Sequence, residues 1–212
     1  MQCPRITTPR LVLRPWRQAD LAPFAALNAD PNVMEFFPGC LGAAESDALA
    51  LRIVEHFAAH GFGLWAVEVA GGTPFIGFVS LSVPRYETPF TPCVEIGWRL
   101  AASHWGRGYA SEAARGALAG GFDHLGLAEI VSFTTEANAR SRRVMERLGM
   151  RRDPADDFDH PLLAADHPLR RHVLYRLSKS AWKKRNRAAM AALDQRIELV
   201  DAPPLQLPGD HA

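Results

Sequence analysis

The chain has 212 residues, 48% of them hydrophobic, and its 24 basic and 23 acidic residues leave a formal net charge of +1. This length allows one substantial core with at most an appendage. So small a charge excludes the strong field that draws proteins onto nucleic acid or membranes, and we expect neither as a partner. Three widely spaced cysteines lack a CxxC pair, which argues against a disulfide framework, and no stretch has the ~18 apolar residues of a membrane span. We therefore expect a cytoplasmic protein.

Hydrophobic periodicity predicts an alternation of strands and helices along the chain. The first half is predicted to contain a strand at 10–14, a helix at 18–28, a broken segment at 32–42, a helix at 45–60 and strands at 64–69, 75–83 and 94–100. The second half is predicted to contain a helix at 109–124, a strand at 130–134, a helix at 139–148, a long loop at 153–168 and a strand at 172–177. Three consecutive strands predict an antiparallel meander. The whole order predicts a mixed α/β sheet, mostly antiparallel, with helices on both faces.

The segment after the last predicted strand has a different pattern. A helical period runs from Lys179 to about Val200 and carries a narrow apolar stripe of Trp182, Met190, Leu193 and Ile197. The proline-rich end of the chain is expected to fray. We therefore divide the chain into a domain at 1–178 and a helical extension with a frayed tail at 179–212, which packs on the domain or on a second subunit of a homodimer.

The segment HWGRGYASEA, at 104–113, predicts an anion-binding turn. Gly106 and Gly108 allow a tight turn with no side chain above the backbone, and the helix that starts next presents unpaired N–H groups. Phosphate groups bind well at such helix N-termini. The alternative is an ordinary strand-to-helix turn, since this glycine spacing alone is a weak signal.

Glu95 is a candidate general base. The period-2 pattern of 94–100 places Glu95, Gly97 and Arg99 on one face of the strand and the apolar side chains on the other. A carboxylate in mid-strand has its pKa raised by burial, which suits proton abstraction at neutral pH. The alternative is a solvated carboxylate, or one paired with an arginine.

Asn138 and Ser141 lie at the start of the helix that ends at Gly149. The direct interpretation of Asn138 is a helix N-cap, with Gly149 as the C-terminal stop. Ser141 shares the apolar face with Val144, Met145 and Leu148, so its hydroxyl points inward and needs a partner. That partner is a ligand or the carbonyl four residues back.

Histidines and basic residues give weaker signals. His56 and His60 have the i, i+4 spacing of a helical zinc pair, but no third ligand accompanies them, so we expect no metal site. His160 and His167 lie in the long loop and receive no catalytic role. A basic cluster is formed by Lys183, Lys184, Arg185 and Arg187, and one solvated helix face explains it more simply than an RNA site.

Four motifs in order resemble the GNAT superfamily of acetyl-CoA-dependent N-acyltransferases, and most closely the branch of the ribosomal-protein N-terminal acetyltransferases. They are TPRLVLRPW at 8–16, VEIGWRL at 94–100, WGRGYASEA at 105–113 and NARSRRVMERLGM at 138–150. The similarity spans about 8–178. It implies a GNAT-like central sheet whose fourth and fifth strands splay apart, with acetyl-CoA as cosubstrate and an amine as acceptor.

The resemblance also implies roles for individual residues. The pantetheine arm is expected to pair with backbone along Trp98 and Leu100, and Asn138 matches an asparagine that contacts the cofactor near its reactive end. Main-chain N–H groups are expected to hold the pyrophosphate at Arg107, Gly108, Tyr109 and Ala110. Glu95 is similar to the strand carboxylate that relays a proton from the amine, and Ser141 to the acid that protonates the departing thiolate.

Two residues depart from the family pattern. Trp105 stands where the loop usually has glutamine or arginine, which is harmless because the loop acts through its backbone. Met145 stands where many relatives carry a tyrosine acid, and this leaves Ser141 as the candidate acid. The sequence therefore predicts direct acetyl transfer to a primary amine, on a protein N-terminus or on a small molecule.

Other functions and the acceptor pocket are less defined by the sequence. The alternatives to the enzyme are a non-catalytic acyl-CoA-binding regulatory module and an adaptor that uses the basic C-terminal helix. The acceptor pocket is expected from 32–42, 86–92 and 153–168. Asp156, Asp157 and Asp159 in the last of these suit a cationic acceptor and equally suit a solvated loop.

Overall fold

The structure of the protein is a computed structural model in which residues 2–186, 196–202 and 205 are described. The strands in this part are β1 Gln2–Thr7, β2 Leu11–Arg14, β3 Leu64–Val69, β4 Gly77–Ser82, β5 Glu95–Leu100, β6 Glu129–Thr135, β7 Arg151–Arg152, β8 Phe158–Asp159, β9 Arg171–Ser178 and β10 Arg196–Asp201. The α-helices are α1 Leu21–Ala29, α2 Pro31–Met34, α3 Ala43–His60, α4 Tyr109–Ala119, α5 Ala139–Leu148 and α6 Lys179–Asn186. A π-helical segment, Gly120–His124, continues α4.

One twisted sheet organises the molecule, in the strand order β10–β1–β2–β3–β4–β5–β6–β9–β7, with β8 paired to β9. Neighbouring strands pair antiparallel throughout the described part except for β5 and β6, which are parallel. The parallel pair has a single residue pair in register, Glu95 with Val131. Beyond that pair β5 and β6 separate, as the splayed strands of the predicted fold do.

Helices cover both faces of the sheet, as the element order predicts. On one face, glycines in and after α4 allow close packing, and a Cβ at Gly121 would lie 2.7 Å from the Ile130 side chain and 3.1 Å from that of Leu81. On the other face, Phe24 of α1 packs edge-on against Phe78 of β4 with ring centroids 6.0 Å apart. The α4 helix therefore approaches β5 from one side and α1 from the other.

A buried arginine joins the start of α1 to the sheet. Arg14 is 2% exposed and uses all five of its N–H donors, two of them on the Asp20 carboxylate at 2.8 and 2.9 Å. The other three reach Glu68 at 2.7 Å and the carbonyls of Pro15 and Pro74 at 3.0 and 2.5 Å. The two carboxylates raise the pKa of Arg14 against the opposing effect of burial. Its charge is thus compensated.

The structure corrects the prediction at both ends of the chain. The strand β1 has no counterpart among the predicted elements, so the predicted fourth and fifth strands are β5 and β6. The helix predicted from Lys179 to about Val200 is confirmed over Lys179–Asn186 and is wrong at 196–200, which belong to the strand β10, paired antiparallel with β1. Ladder hydrogen bonds and burial of Ile197 against the core outweigh a weak helical pattern. Met190, Leu193 and most of the tail lie outside the described residues.

Smaller differences concern the second half. The helix predicted at 109–124 is an α-helix only to Ala119, followed by the π-helical turn. The loop at 153–168 contains β8 and a 3₁₀ turn at Pro154–Asp156. Among the described residues, no helix has the length and apolar character needed to cross a membrane.

Because two carboxylates compensate the buried Arg14 charge, removing one of them should lower the stability of the protein. Replacing Asp20→Asn leaves the guanidinium buried with one carboxylate fewer, so the free energy of unfolding should fall by about 3–5 kcal/mol. Urea denaturation measures the change. The control is Asp123→Asn, at an exposed residue of the π-helical turn, which should change stability by no more than about 0.5 kcal/mol. A loss in Asp20→Asn as small as in the control would show that the pair contributes little.

Candidate active site

A cavity of about 760 Å³ opens where β5 and β6 separate. Its wall includes every residue to which the sequence assigned a catalytic or cofactor-binding role except Arg107, and it brings together Glu95 of β5, Gly108 before α4 and Ser141 of α5. The α2 segment contributes Asn32, Val33, Phe36, Phe37 and Pro38, and the long loop contributes His160, Leu162 and Leu163. Residues 86–92 do not line the cavity directly, and Tyr86 instead packs on the lining residue His160, with ring centroids 4.9 Å apart.

The backbone of β5 is available along the opening. The Val94 carbonyl accepts a hydrogen bond from Val131 N–H at 2.9 Å, and the Ile96 carbonyl accepts one from the Ser132 hydroxyl at 2.8 Å. Because backbone groups alternate along a strand, Trp98 and Leu100 also direct N–H and C=O toward β6. The Trp105 indole donates to the Leu100 carbonyl at 2.8 Å, while Trp98 faces the separated strand. An extended ligand can pair there.

The glycine-rich loop has the conformation that the sequence predicts. Gly106 and Gly108 have φ values of 74° and 79°, in the left-handed region that glycine adopts without strain, and α4 begins at Tyr109. A Cβ at Gly106 would meet nothing within 4 Å, so the surface of the loop is open. The N–H groups of the first turn of α4 therefore remain available for an anion.

Arg10 and Glu112 hold this loop, and the sequence analysis did not identify either. The Glu112 carboxylate accepts hydrogen bonds from Arg10 Nε at 2.6 Å, Arg10 N–H at 2.8 Å and the Thr8 hydroxyl at 2.8 Å. Arg10 also donates to the Arg107 carbonyl at 3.1 Å and lies 5.0 Å from the centroid of the Tyr109 ring. The pairing of Arg10 in the first motif with Glu112 in the third is a long-range contact that periodicity does not reveal.

Glu95 lies at the last point where β5 and β6 remain paired. Within the described residues its carboxylate has no ion pair, which decides against the arginine-paired alternative. It lies deep in the protein with part of its surface open to the cavity, and burial raises its pKa to about 8. A Cβ at Gly97 would lie 3.0 Å from the Ser80 hydroxyl and 3.9 Å from Glu95 Oε1, so glycine leaves space beside the carboxylate.

Asn138 caps α5, as the direct interpretation has it. Its Oδ1 accepts from Ser141 N–H at 3.1 Å and its Nδ2 donates to the Thr134 hydroxyl at 3.0 Å. Ser141 lines the cavity, and no hydrogen bond joins its hydroxyl to the carbonyl four residues back or to another described residue. The Ser141 hydroxyl is therefore free to bind a ligand.

Two neutral histidines form a wall that the sequence analysis missed. His172 of β9 and His160 stack with ring centroids 5.0 Å apart, and both line the cavity. Burial lowers the pKa of His172, and burial with the adjacent His172 lowers the pKa of His160 to about 4. His172 Nδ1 donates to the Arg170 carbonyl at 3.1 Å, so its Nε2 keeps an unprotonated lone pair. The two histidines belong to different elements, so no local sequence pattern predicts their contact.

Other candidate groups have structural partners. Asp156 binds Arg176 at 2.7 Å, Asp157 pairs with Arg152, and Asp159 lies 3.4 Å from Arg170 and Arg171. A site for a cationic acceptor on these aspartates is therefore wrong. His56 donates through Nδ1 to the Phe62 carbonyl at 2.9 Å and accepts from Val83 N–H, so it is a core histidine.

The described part of the chain contains neither a cysteine placed for catalysis nor a cluster of metal ligands. Burial and the neighbouring Glu95 raise the pKa of Cys93 to about 11, which keeps the thiol protonated, and Cys93 does not line the cavity. No group of three His, Cys, Asp or Glu side chains there has the arrangement of metal ligands.

An open mixed sheet with one splayed parallel pair, and a glycine loop before a helix beside the opening, define the class of acyl-CoA-binding transferases. Residues 10–151 match the model of the acetyltransferase (GNAT) domain. The protein therefore belongs to the GNAT family. It is an acetyl-CoA-dependent N-acetyltransferase, and acetyl-CoA is its cosubstrate.

Individual relatives agree with this family. An uncharacterized N-acetyltransferase of Bacillus subtilis, YnaD, is 32% identical over 148 residues, which are 70% of this chain and 83% of that protein. An FsC-acetyl coenzyme A-N(2)-transacetylase of Aspergillus fumigatus is 29% identical over 196 residues, 88% of this chain and 81% of that protein. In fold, the chain is similar to Mycobacterium smegmatis RimJ in complex with CoA-disulfide, with a TM-score of 0.66 and 22% identity over 92% of this chain and 94% of that one.

The left-handed conformation of Gly108 predicts an effect on cofactor affinity. In Gly108→Val the β-branched side chain costs about 1–2 kcal/mol at positive φ and turns N–H groups away from the phosphates. We expect the Kd for acetyl-CoA, measured by calorimetry, to rise about tenfold or more. Gly126 has a φ of 71° and does not line the cavity. The control Gly126→Val should lose similar stability and keep its affinity, and equal Kd values in the two variants would contradict the prediction.

Proposed function

We propose that the protein transfers the acetyl group of acetyl-CoA directly to a primary amine, with Glu95 as general base and Ser141 as general acid. The observation that carries this proposal is the unpaired Glu95 carboxylate, buried at the point where the two splayed strands meet. Acetyl-CoA supplies the activated acetyl group. The protonated thiol of Cys93 offers no competing nucleophile, which supports transfer without a covalent enzyme intermediate.

On the donor side, the loop and the splayed backbone provide the contacts. Backbone N–H groups are assigned to the pyrophosphate at Arg107, Gly108, Tyr109 and Ala110. The backbone of Trp98 and Leu100 is assigned to the pantetheine arm, where Trp98 offers both its N–H and its carbonyl. A backbone N–H in this opening also stabilises the negative charge that develops on the acetyl oxygen during attack. Asn138 fixes the start of α5 and with it the position of Ser141.

On the acceptor side, an amine arrives protonated and must lose a proton before it attacks. A carboxylate whose pKa is near 8 gains that proton more readily than an ordinary glutamate. The lone pair of His172 Nε2 lies in the same wall and offers a second acceptor for the proton. The departing thiolate then takes a proton from Ser141, whose hydroxyl has no partner within the described residues. Met145 is 1% exposed and contributes no acid.

The side chains that line the cavity restrict which amines can act as the acceptor. Aromatic and aliphatic side chains surround the acceptor end, which suits a small amine or the first residue of a peptide. The Aspergillus fumigatus relative bears a name that assigns its transfer to a nitrogen, N(2), of FsC, and this supports a nitrogen as the acceptor atom. Membership of the ribosomal-protein branch is the second candidate, and peptides beginning with ribosomal-protein N-termini in the acceptor panel test it.

The raised pKa of Glu95 predicts a pH profile. Glu95 acts as base only when ionised, so kcat/KM should fall as the pH drops below about 8 and reach a plateau above it. In Glu95→Gln this limb should disappear and kcat/KM at pH 8 should drop about a hundredfold or more. The limb is assigned by repeating the pH profile with acceptors whose amines have different pKa values. A limb that reports Glu95 stays at the same pH for every acceptor, whereas a limb that reports the amine moves with the amine pKa.

A matched variant controls for the lost charge. Glu87 is exposed in the loop before β5, and Glu87→Gln should leave rate and profile unchanged. If Glu95→Gln kept the wild-type pH profile, Glu95 would not be the base.

Loss of the Ser141 hydroxyl should slow departure of the thiolate. We expect Ser141→Ala to lower kcat about tenfold or more, with the Kd for acetyl-CoA unchanged, in a thiol-release assay with calorimetry alongside. The comparison variant is Ser180→Ala, at an exposed serine of α6. A wild-type kcat in Ser141→Ala would assign the proton to water.

A further inference from the structure

Arg99 is a second unpaired charge in the cavity, and the proposed mechanism does not use it. It follows Glu95 by four residues on the same face of β5 and lines the cavity wall. Its one hydrogen bond to a described residue joins NH1 to Asn28 Oδ1 of α1 at 2.5 Å. Its buried Nε has no partner. Within the described residues Arg99 forms no ion pair, although it is largely buried.

Arg99 differs in this respect from the buried Arg14. Arg14 has all five donors satisfied and two carboxylate partners. Arg99 has a neutral amide and two rings, with its guanidinium carbon 4.0 Å from the centroid of Phe37 and 5.4 Å from that of Phe78. Burial lowers the pKa of Arg99 to about 10, so it stays cationic at neutral pH. A buried cation without a counterion is costly unless a ligand supplies the opposite charge.

The position of Arg99 separates it from the cofactor. Leu81 of β4 and Ile96 of β5 are in register, and Leu81 faces the π-helical turn after α4. Arg99 lies on the opposite face, in register with Phe78 and bonded to Asn28 of α1. Its planar guanidinium is held by stacking and by Asn28, and an arginine held in this way binds a carboxylate through two parallel N–H donors.

We propose that Arg99 binds a carboxylate of the acceptor, so that the substrate is an amine that carries an acidic group. This inference rests on the proposed function and names its substrate class. The amine lies at Glu95 and the carboxylate at Arg99, so the substrate carboxylate meets a cation, and the amine meets a carboxylate that is ionised above about pH 8. Four residues of strand separate the two Cα atoms by about 13 Å. Both side chains line the cavity, so the distance between their charged groups differs from the distance between the Cα atoms. A series of acceptors of increasing length therefore measures which spacing of amine and carboxylate the site prefers.

The first experiment measures kcat/KM for pairs of acceptors that differ only in the acidic group. Glycine, β-alanine, γ-aminobutyrate and ε-aminocaproate are compared with their amides. A second arm uses short amidated peptides with aspartate or asparagine at the second position, which tells a free amino acid from a peptide N-terminus. We expect the acid to exceed its amide by on the order of tenfold to a hundredfold in one of the two arms. Equal values in both arms, with turnover present, would overturn the inference and leave the proposed function standing.

Variants then assign the preference to Arg99. In Arg99→Gln the ratio of acid to amide should fall to near one, and Arg99→Lys, which keeps the charge but not the planar fork, should keep part of it. Arg52, exposed on α3 and away from the cavity, gives the control Arg52→Gln, which should keep the full ratio. The Kd for acetyl-CoA should not change in any of them. A weaker Kd in Arg99→Gln with an unchanged ratio would assign Arg99 to the cofactor instead.

A binding measurement separates this inference from the catalytic proposal. ε-Aminocaproate and its amide are titrated into wild-type protein saturated with CoA, and into the Arg99 variants, by calorimetry. Binding of the acid that exceeds binding of the amide and depends on Arg99 supports the inference even if no amine is acetylated, in which case the catalytic proposal fails alone. Equal binding of both compounds, together with equal kcat/KM values, contradicts the inference.

Discussion

The separation of β5 from β6 after one residue pair is the constraint on which the site depends. Long antiparallel ladders, β4 with β5 and β6 with β9, hold the two halves of the sheet on either side of the opening. Where the β5–β6 ladder has ended, the Ile96 carbonyl accepts a hydrogen bond from the Ser132 hydroxyl. Backbone groups of β5 beyond that point need other partners, since an unsatisfied buried group costs about 1–3 kcal/mol. A ligand that pairs like a strand satisfies them.

Two ionisable side chains that form no ion pair with a described residue, Glu95 and Arg99, lie on one face of the same strand. Elsewhere the structure pairs its buried charges, as in the Arg14 cluster, whereas Glu95 and Arg99 have no carboxylate or guanidinium partner in the described part of the chain. Burial shifts the pKa values of both toward neutrality, and such shifts cluster at functional sites.

The features that could be predicted from the sequence are those that depend on patterns within a few residues. Strand and helix periods located most of the sheet and α5, and the glycine spacing located the loop, because these signals act within a few residues. What it missed depends on distant contacts. β10 forms because residues 196–201 find β1 at the other end of the chain, and Arg10 meets Glu112 across two elements. His172 had an ordinary strand position, and only folding places it against His160 in the cavity wall.

The side chains of β5 point alternately to the two faces of the sheet, so the strand presents two different surfaces. Side chains of Ile96 and Leu100 pack into the core, and the backbone of Trp98 faces the opening, so this set of positions is tied to the frame of the molecule. Glu95 and Arg99 lie on the opposite face, where Arg99 contacts Asn28 and Phe37. With Arg99 in the proposed role, its exchange changes which acceptor is recognised while the backbone that faces the opening stays in place, so single substitutions on this face alter substrate range on a fixed scaffold.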